Sequence, residues 1–248
     1  MTMLSRCLKA DFYKIKHTPI LIIHLIIPLI GSLLFLAYYS FSKWNTVIKI
    51  TSYFEVLAIA FPLLIGLICS MVISQEEQAG SYKELISATS WRGTTLISKI
   101  LLLLLIAAFS VVLALGIFFV GFQFVLHEKN VSTICYAQVA GALIFGNIFL
   151  YIIHLVISLK LGRGASIGLG IAGSLIAALM MTGLGDECWK YVPWAWGTRL
   201  CDFAILSEIN KPMFGIVSGE LQRALLIIIF AINILLSISL VWFSRWES

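Results

Sequence analysis

The chain of 248 residues is 60% hydrophobic and 12% charged, with a net charge of +5 and a mean hydropathy of +1.02. Because soluble domains carry about 25% charged residues, this composition excludes an ordinary soluble protein. The basic residues flank apolar runs and form no patch on a soluble face, so nucleic-acid binding is not expected. The five cysteines include no CxxC pair, and a zinc site is therefore not indicated.

The N-terminal segment 4–17 is basic and precedes the first apolar run. Leu4, Leu8, Phe12 and Ile15 recur at helical spacing, with lysine and arginine on the other faces. This pattern predicts a helix that lies in the membrane interface, and an ordinary basic anchor is the alternative. The apolar run that follows is about twenty residues long, which favours a spanning helix over a cleaved signal peptide.

Six continuously apolar segments are long enough to cross a bilayer, which requires about 20 residues. They lack the alternation of apolar and polar residues that marks a β-barrel strand. The sequence therefore predicts an all-α membrane protein with a single transmembrane domain, 1–248. The predicted spans are 20–39, 53–73, 96–122, 137–160, 165–184 and 224–243, with longer loops at 74–95 and 185–222.

The distribution of lysine and arginine predicts the orientation of these spans. An even number of spans places both termini on the same side of the membrane. Basic residues are more frequent on the side of the N-terminus, and the excess is largest around the first span. By the positive-inside rule, both termini and the loop 74–95 are predicted to be cytoplasmic, and the loop 185–222 is predicted to lie outside.

The loop 74–95 has an unusual layout. Two carboxylates directly follow a span, Gly and Ser come next, and a short helical stretch at 82–88 precedes a turn with a basic residue. This layout resembles the first cytoplasmic loop of ABC-2-type permeases, the membrane halves of many ABC exporters. The resemblance implies a coupling helix that docks on an ATP-binding subunit; a solvated loop that caps its own helices is the alternative. The residues that match are Glu76, Glu77, Gly80, Ser81, Glu84, Leu85, Ile86 and Arg92.

The resemblance extends beyond this loop. The chain length, the segment 8–19 and the Val-Pro-Trp-Ala-Trp-Gly-Thr-Arg-Leu segment at 192–200 resemble lantibiotic-immunity permeases of the MutE/EpiE group. This implies a type V exporter half-transporter in a bacterial plasma membrane. It also implies two copies of an ATP-binding subunit, a second, dissimilar permease and a cationic antimicrobial peptide as the exported substrate, with membrane lipid as the surroundings.

The sequence lacks the residues of a catalytic site. The phosphate-binding pattern Gly-x-x-x-x-Gly-Lys-[Ser/Thr] does not occur. We therefore expect that this chain binds no cofactor, and that ATP and Mg are held by the partner ATPase. The predicted spans also lack the paired catalytic residues of membrane proteases, so the chain is not expected to be an enzyme.

The loop 185–222 is rich in aromatic residues. Indole rings favour the membrane–water interface, so interfacial anchors are the simplest interpretation. The alternative is a surface that contacts an amphipathic, cationic peptide, partly through cation–π contacts. Cys188 and Cys201 lie in the same loop and are candidates for a disulfide. The candidate substrate-handling residues are Trp189, Trp194, Trp196 and Asp202.

Two further patterns lie within the predicted spans. His24 and His154 are intramembrane ionisable residues, which are often functional, although a neutral histidine that bonds another helix is commoner. The fifth span has small residues at four-residue spacing, which predicts close helix packing within the chain or with the partner permease. These stripes are Gly164, Gly168 and Ala172, and Gly170, Ser174 and Ala178.

Three functions remain open from the sequence. The first is a permease that exports an antimicrobial peptide. The second keeps the same fold for a different drug or a lipid-like substrate. The third is a membrane anchor or sensor that transports nothing.

Overall fold

The computed structural model describes residues 2–16, 18–80, 82–87, 89, 91–129 and 131–246, and for Glu84 and Ser87 it describes the backbone alone. Within these residues the chain is helical and has no strand, in agreement with the predicted all-α class. The α-helices are α1 Met3–Ile15, α2 Pro19–Phe41, α3 Thr46–Gln78, α4 Lys83–Ser87, α5 Gly93–Val120, α6 Thr133–Leu161, α7 Arg163–Leu179, α8 Pro193–Ile209 and α9 Lys211–Ser244.

The helix ends follow from local side-chain chemistry. Asn45, Ser132 and Asn210 precede α3, α6 and α9, and each side chain accepts a hydrogen bond from the N–H three residues later. Pro19 occupies the first position of α2, where its missing N–H costs nothing. Gly162 connects α6 to α7 at φ 82°, a backbone conformation that favours glycine.

In the part of the chain that the structure describes, five helices are long and apolar enough to cross a membrane, namely α2, α3, α5 with its π-helical extension Gly121–Val125, α6 and α9. The predicted span 165–184 is the exception, because α7 has 17 residues and ends at Leu179. Beyond α7, the Arg199 guanidinium donates hydrogen bonds to the carbonyls of Met180 and Thr182 at 2.8 and 3.1 Å. These contacts hold the chain in a turn at the end of α7, where the sequence suggests a longer helix.

The predicted loop 185–222 is mostly helical, which corrects the sequence-based interpretation. It contains α8 and the first residues of α9, which begins at Lys211 and not near residue 224. The α8 helix packs closely against α6, since a Cβ on Gly146 would lie 2.8 Å from the Gly197 Cα. Its polar residues lower the local hydropathy, so a search for apolar runs passes over it.

The helices form a bundle around α3. The α3 helix packs against α6, α7 and α8, while α2 packs mainly against α5. We call the end that carries α1, the α3–α5 loop and the last turn of α9 the α1 end. At the opposite end Lys49 of α3 lies 2.7 Å from Glu128 in the α5–α6 loop. Hydrogen bonds from Lys49 and Thr46 lower the pKa of the Glu128 carboxyl.

Candidate functional site at the α3–α5 loop

A buried cluster of charges joins three helices at the α1 end. The Lys99 ammonium of α5 donates to Glu76 Oε1 of α3 at 2.7 Å and to Asp11 Oδ1 of α1 at 2.9 Å. The Lys14 ammonium lies 3.1 Å from both Glu76 carboxylate oxygens. We call Asp11, Lys14, Glu76 and Lys99 the ion cluster. It contains two acids and two amines, so each charge has an opposite partner.

Burial makes this pairing necessary. The side chains of Glu76 and Lys99 are 4% and 3% exposed. An ionised group buried without a partner is strongly unfavourable, whereas a paired and hydrogen-bonded one is tolerated. Ser98 adds a hydroxyl donor to the second Asp11 oxygen, and the Gln75 amide donates to the Lys14 carbonyl at 2.7 Å. The end of α1 is therefore fixed to the ends of α3 and α5.

Short-range spacing explains how each helix contributes to the cluster. Asp11 and Lys14 are three residues apart and therefore lie on one face of α1. Glu76 lies in the last turn of α3, and Lys99 lies two turns into α5. The α3–α5 loop starts three residues after Glu76, so the ion cluster lies directly beside the base of the loop.

The loop itself is attached to the bundle on its inner side. Thr95 Oγ1 donates to the Leu85 carbonyl at 2.9 Å, and the Leu85 side chain is buried. Leu85 therefore packs against the bundle, while Ile86 is half-buried. Arg92 donates to the Trp246 carbonyl at 2.7 Å, and the Tyr82 ring packs against the Trp246 ring. These contacts connect the loop to the end of α9.

The outer side of the loop is exposed. Glu77 and Gly80 lie on the surface, and Trp91 is 50% exposed. Partial burial and, to a smaller extent, the nearby Glu77 carboxylate raise the pKa of the Tyr82 phenol, which donates a hydrogen bond to Glu77. Ser81 lies outside the described residues, as does the Glu84 side chain. The structure thus separates the loop into an inner set, Glu76, Leu85 and Arg92, and an exposed outer set, Glu77, Gly80 and Trp91.

The motif alone identified Glu76 but none of its partners. Asp11, Lys14 and Lys99 lie far from it in the sequence, and only their positions near the ends of apolar runs hinted at a role. A charged residue at such a position is usually a membrane anchor. The fold is needed to show that these charges meet.

The predicted substrate-handling residues at the opposite end do not form a surface. Trp189 and Trp196 are buried, and their indole N–H groups donate to Glu220 Oε1 at 3.0 Å and to the Lys190 carbonyl at 2.9 Å. Trp194 and Asp202 are half-buried. Trp196 attaches the start of α8 to the bundle through its hydrogen bond and its contact with the Phe149 ring of α6, because an indole ring buries well when its N–H has a partner.

Two cysteines and His154, which the sequence singled out, have the following surroundings in the fold. Cys188 is exposed, Cys201 is buried and both are free thiols, so the candidate disulfide is absent between them. His154 Nδ1 lies 3.0 Å from Ser166 Oγ of α7, and Ser166 Oγ donates to the Gly66 carbonyl of α3. This is the commoner role that was considered for an intramembrane histidine.

The two small-residue stripes of α7 have different surroundings. Gly170 packs on α3, where a Cβ would lie 2.8 Å from the Pro62 carbonyl oxygen. Ser174 Oγ accepts a hydrogen bond from the Leu63 N–H at 3.1 Å, which lies beside the proline in α3. Around Gly164 and Gly168 a Cβ would meet nothing within 4 Å. One stripe therefore packs within the chain, and the other is open.

The comparisons with known proteins agree with this architecture. The family model described as ABC-2 family transporter protein matches residues 7–179, which include the ion cluster, the α3–α5 loop and α2 to α7. No curated protein matches the chain. Members of this family are the membrane components of transporters and work with an ATP-binding subunit. The match covers more than half of the chain, so this multi-pass membrane protein belongs to the ABC-2 family of transporter proteins and is a membrane permease of an ABC transporter.

Proposed function

We propose that the chain is a permease subunit of a bacterial ABC exporter, and that the α3–α5 loop receives the movement of a separate ATP-binding subunit. The observation that carries this proposal is the ion cluster. Movement of the loop would displace Glu76. The hydrogen bonds of Lys99 to Glu76 and Asp11 would transmit this displacement to α5 and α1. Three helices would then respond as one unit.

The exposed outer set of loop residues is the proposed contact with the ATP-binding subunit. Aromatic side chains are the commonest energetic anchors of protein interfaces, and the ring of Trp91 lies over Gly93, where a Cβ would be 2.5 Å from Trp91 Cζ2. A fixed, half-exposed ring loses little side-chain entropy on binding. This support points to Trp91 and Ile86, rather than Leu85, as the apolar part of the contact.

Replacing Trp91 with alanine is expected to lower copurification of the ATP-binding subunit at least tenfold, because a hot-spot aromatic contributes about 2 kcal/mol or more. Trp44 is the matched control, since it is 47% exposed but lies between α2 and α3 at the opposite end. The Trp44→Ala variant should copurify as the parent does. Equal retention of the subunit by both variants would remove Trp91 from the contact.

The proposal requires both termini and the α3–α5 loop to be cytoplasmic. In cells whose native cysteines have been replaced, a membrane-impermeant maleimide should label Lys211→Cys at the start of α9. The same reagent should label Gln78→Cys at the end of α3 only after the membrane has been permeabilised. Both positions are exposed, so access to the thiols differs only by the side of the membrane. Labelling in the reverse order would invert the orientation and place the loop away from any ATPase.

For the substrate we propose a cationic, amphipathic antimicrobial peptide, as in lantibiotic self-immunity. The support is the resemblance of segments 8–19 and 192–200 to immunity permeases, and the second of these segments forms the start of α8. The complete exporter would then contain two ATP-binding subunits that hold ATP and Mg, and a second, dissimilar permease. A different drug or a lipid-like molecule is the competing substrate, since the family itself does not define the cargo.

Expression of all transporter subunits in a sensitive host should raise the lantibiotic concentration that inhibits growth. Tyr191 is exposed beside α8, and its replacement with alanine is expected to reduce this protection about threefold, consistent with about 0.5–1 kcal/mol for one exposed cation–π contact. Phe41→Ala is the control, because Phe41 is also an exposed aromatic residue at the opposite end. If the intact transporter protects against unrelated apolar drugs but against no lantibiotic, the competing substrate is correct.

A further inference from the structure

A narrow apolar cavity runs along α2, separate from the ion cluster. Its volume is about 170 Å³, and it is lined by residues of α2, α3 and α5 and by Tyr151 of α6. On α2 it extends from Ile23 to Phe35, which corresponds to roughly 18 Å of helix. A cavity that is long, narrow and apolar fits a single extended chain better than a compact molecule.

Most polar groups around this cavity already have partners. Pro28 has no N–H for the His24 carbonyl four residues earlier, and Ser110 Oγ of α5 donates to that carbonyl at 2.8 Å. The hydroxyls of Ser32 and Tyr53 lie 2.8 Å apart, and each is 3.0 Å from the Ala114 carbonyl. These polar groups are hydrogen bonded within the protein, so none of them requires a ligand.

The imidazole of His24 is different. His24 is 6% exposed, and its Nδ1 lies 2.7 Å from the Ile20 carbonyl oxygen. Because a carbonyl accepts, Nδ1 must carry the hydrogen, and in the neutral imidazole Nε2 is then a lone-pair acceptor. His24 lines the cavity, and its Nε2 is buried without a partner; no other cavity-lining side chain among the described residues leaves a buried polar atom unpartnered. Nε2 itself is covered in this structure, so a ligand group reaches it only after the side chains around the ring move.

A water molecule would satisfy this nitrogen poorly. Buried waters are held by two to four polar partners, and His24 Nε2 offers one. An apolar molecule with a single O–H at its end matches the cavity better, since its hydroxyl donates to Nε2 while its chain fills the apolar part. A ketone or ester presents only acceptors and would leave Nε2 unpaired.

We propose that this cavity binds a membrane-resident amphiphile with one narrow apolar chain and a terminal hydroxyl, whose O–H donates to His24 Nε2. His24 is five residues from the start of α2, about 7.5 Å along the helix, so the hydroxyl lies toward the α1 end and the chain points toward the opposite end. The site does not depend on the proposed peptide export, and it would be occupied in the permease without its ATP-binding subunit.

The test uses the purified chain alone in lipid nanodiscs with two photoreactive probes. One probe is a long-chain alcohol with a diazirine near its far end, and the other is the alkane of the same length with no hydroxyl. The alcohol is expected to label α2 and α3 about fivefold to tenfold more than the alkane, which corresponds to one hydrogen bond. Equal labelling by the two probes would overturn the proposal.

Two pairs of variants make the result specific. His24→Phe should keep labelling by the alkane but lose the preference for the alcohol, whereas His154→Phe should keep that preference, because His154 also has an unpartnered Nε2 but does not line the cavity. Gly31→Leu should abolish labelling by filling the cavity, and Gly116→Leu, which lines a separate groove, should not. A Cβ at either glycine meets nothing within 4 Å. Unchanged labelling of Gly31→Leu, or a preference that survives His24→Phe, would refute the site.

Discussion

Replacing Lys99 with methionine is expected to lower the free energy of unfolding by about 3–5 kcal/mol, because removal of one partner leaves buried charges uncompensated. Asp11 would keep only the Ser98 hydroxyl among the partners described above, and Glu76 would keep Lys14. The loss should appear as a large drop in the midpoint of thermal unfolding, measured in detergent or nanodiscs. It should also appear as a low yield of folded protein.

Lys49→Met is the matched control for this experiment. Lys49 is also buried and is paired with Glu128, but the Glu128 side chain is 28% exposed and remains accessible to water. We therefore expect a loss of about 1 kcal/mol or less, as for partly exposed ion pairs. Similar losses at Lys99 and Lys49 would show that the ion cluster is no more important to the fold than an ordinary surface pair.

Gly170→Ala and Gly168→Ala are expected to change stability in opposite directions, although both lie on α7. The Gly170 Cβ would lie 2.8 Å from the Pro62 carbonyl oxygen and 3.2 Å from the Leu63 Cα, so the α3 backbone must move. Such overpacking costs about 1–3 kcal/mol. At Gly168 the space is open, and alanine should stabilise the helix by up to about 1 kcal/mol.

The same unfolding assay compares this pair. A proteolysis assay on α7 provides a second measurement, because a separated α7 should be cleaved faster. If the two alanine variants have the same stability, then the close approach of α3 and α7 is not what holds α7 in place. The stripe of Gly164 and Gly168 would then contribute as much to packing as Gly170 does.

The sequence predicted the long apolar helices well because each of them carries its own signal. A long, uninterrupted apolar run crosses a bilayer as a helix. The five helices that contain such runs are therefore recognisable from local sequence alone, namely α2, α3, α5, α6 and α9. The α8 helix has no such signal, because Arg199 and Asp202 interrupt it within 17 residues. Its apolar face becomes visible only when it packs against α6.

The candidate site was predictable in part. The motif located the α3–α5 loop and Glu76, but Lys14 and Lys99 are 62 and 23 residues away from Glu76 in the sequence. No local pattern indicates which charges meet across that distance. From the sequence the tryptophans were expected to be interfacial anchors, with a peptide-contacting surface as the alternative, whereas in the fold Trp189 and Trp196 are buried and hydrogen bonded.

The equal number of acids and amines in the ion cluster has a consequence for voltage. Moving one elementary charge across a membrane potential of 100 mV changes the energy by about 2.3 kcal/mol. The formal charges of Asp11, Lys14, Glu76 and Lys99 sum to zero, so a joint displacement of α1, α3 and α5 moves no net formal charge from this cluster through the field. The contribution of the ion cluster to such a displacement would then be independent of the membrane potential, whereas a displacement of Lys99 or Glu76 alone would depend on it.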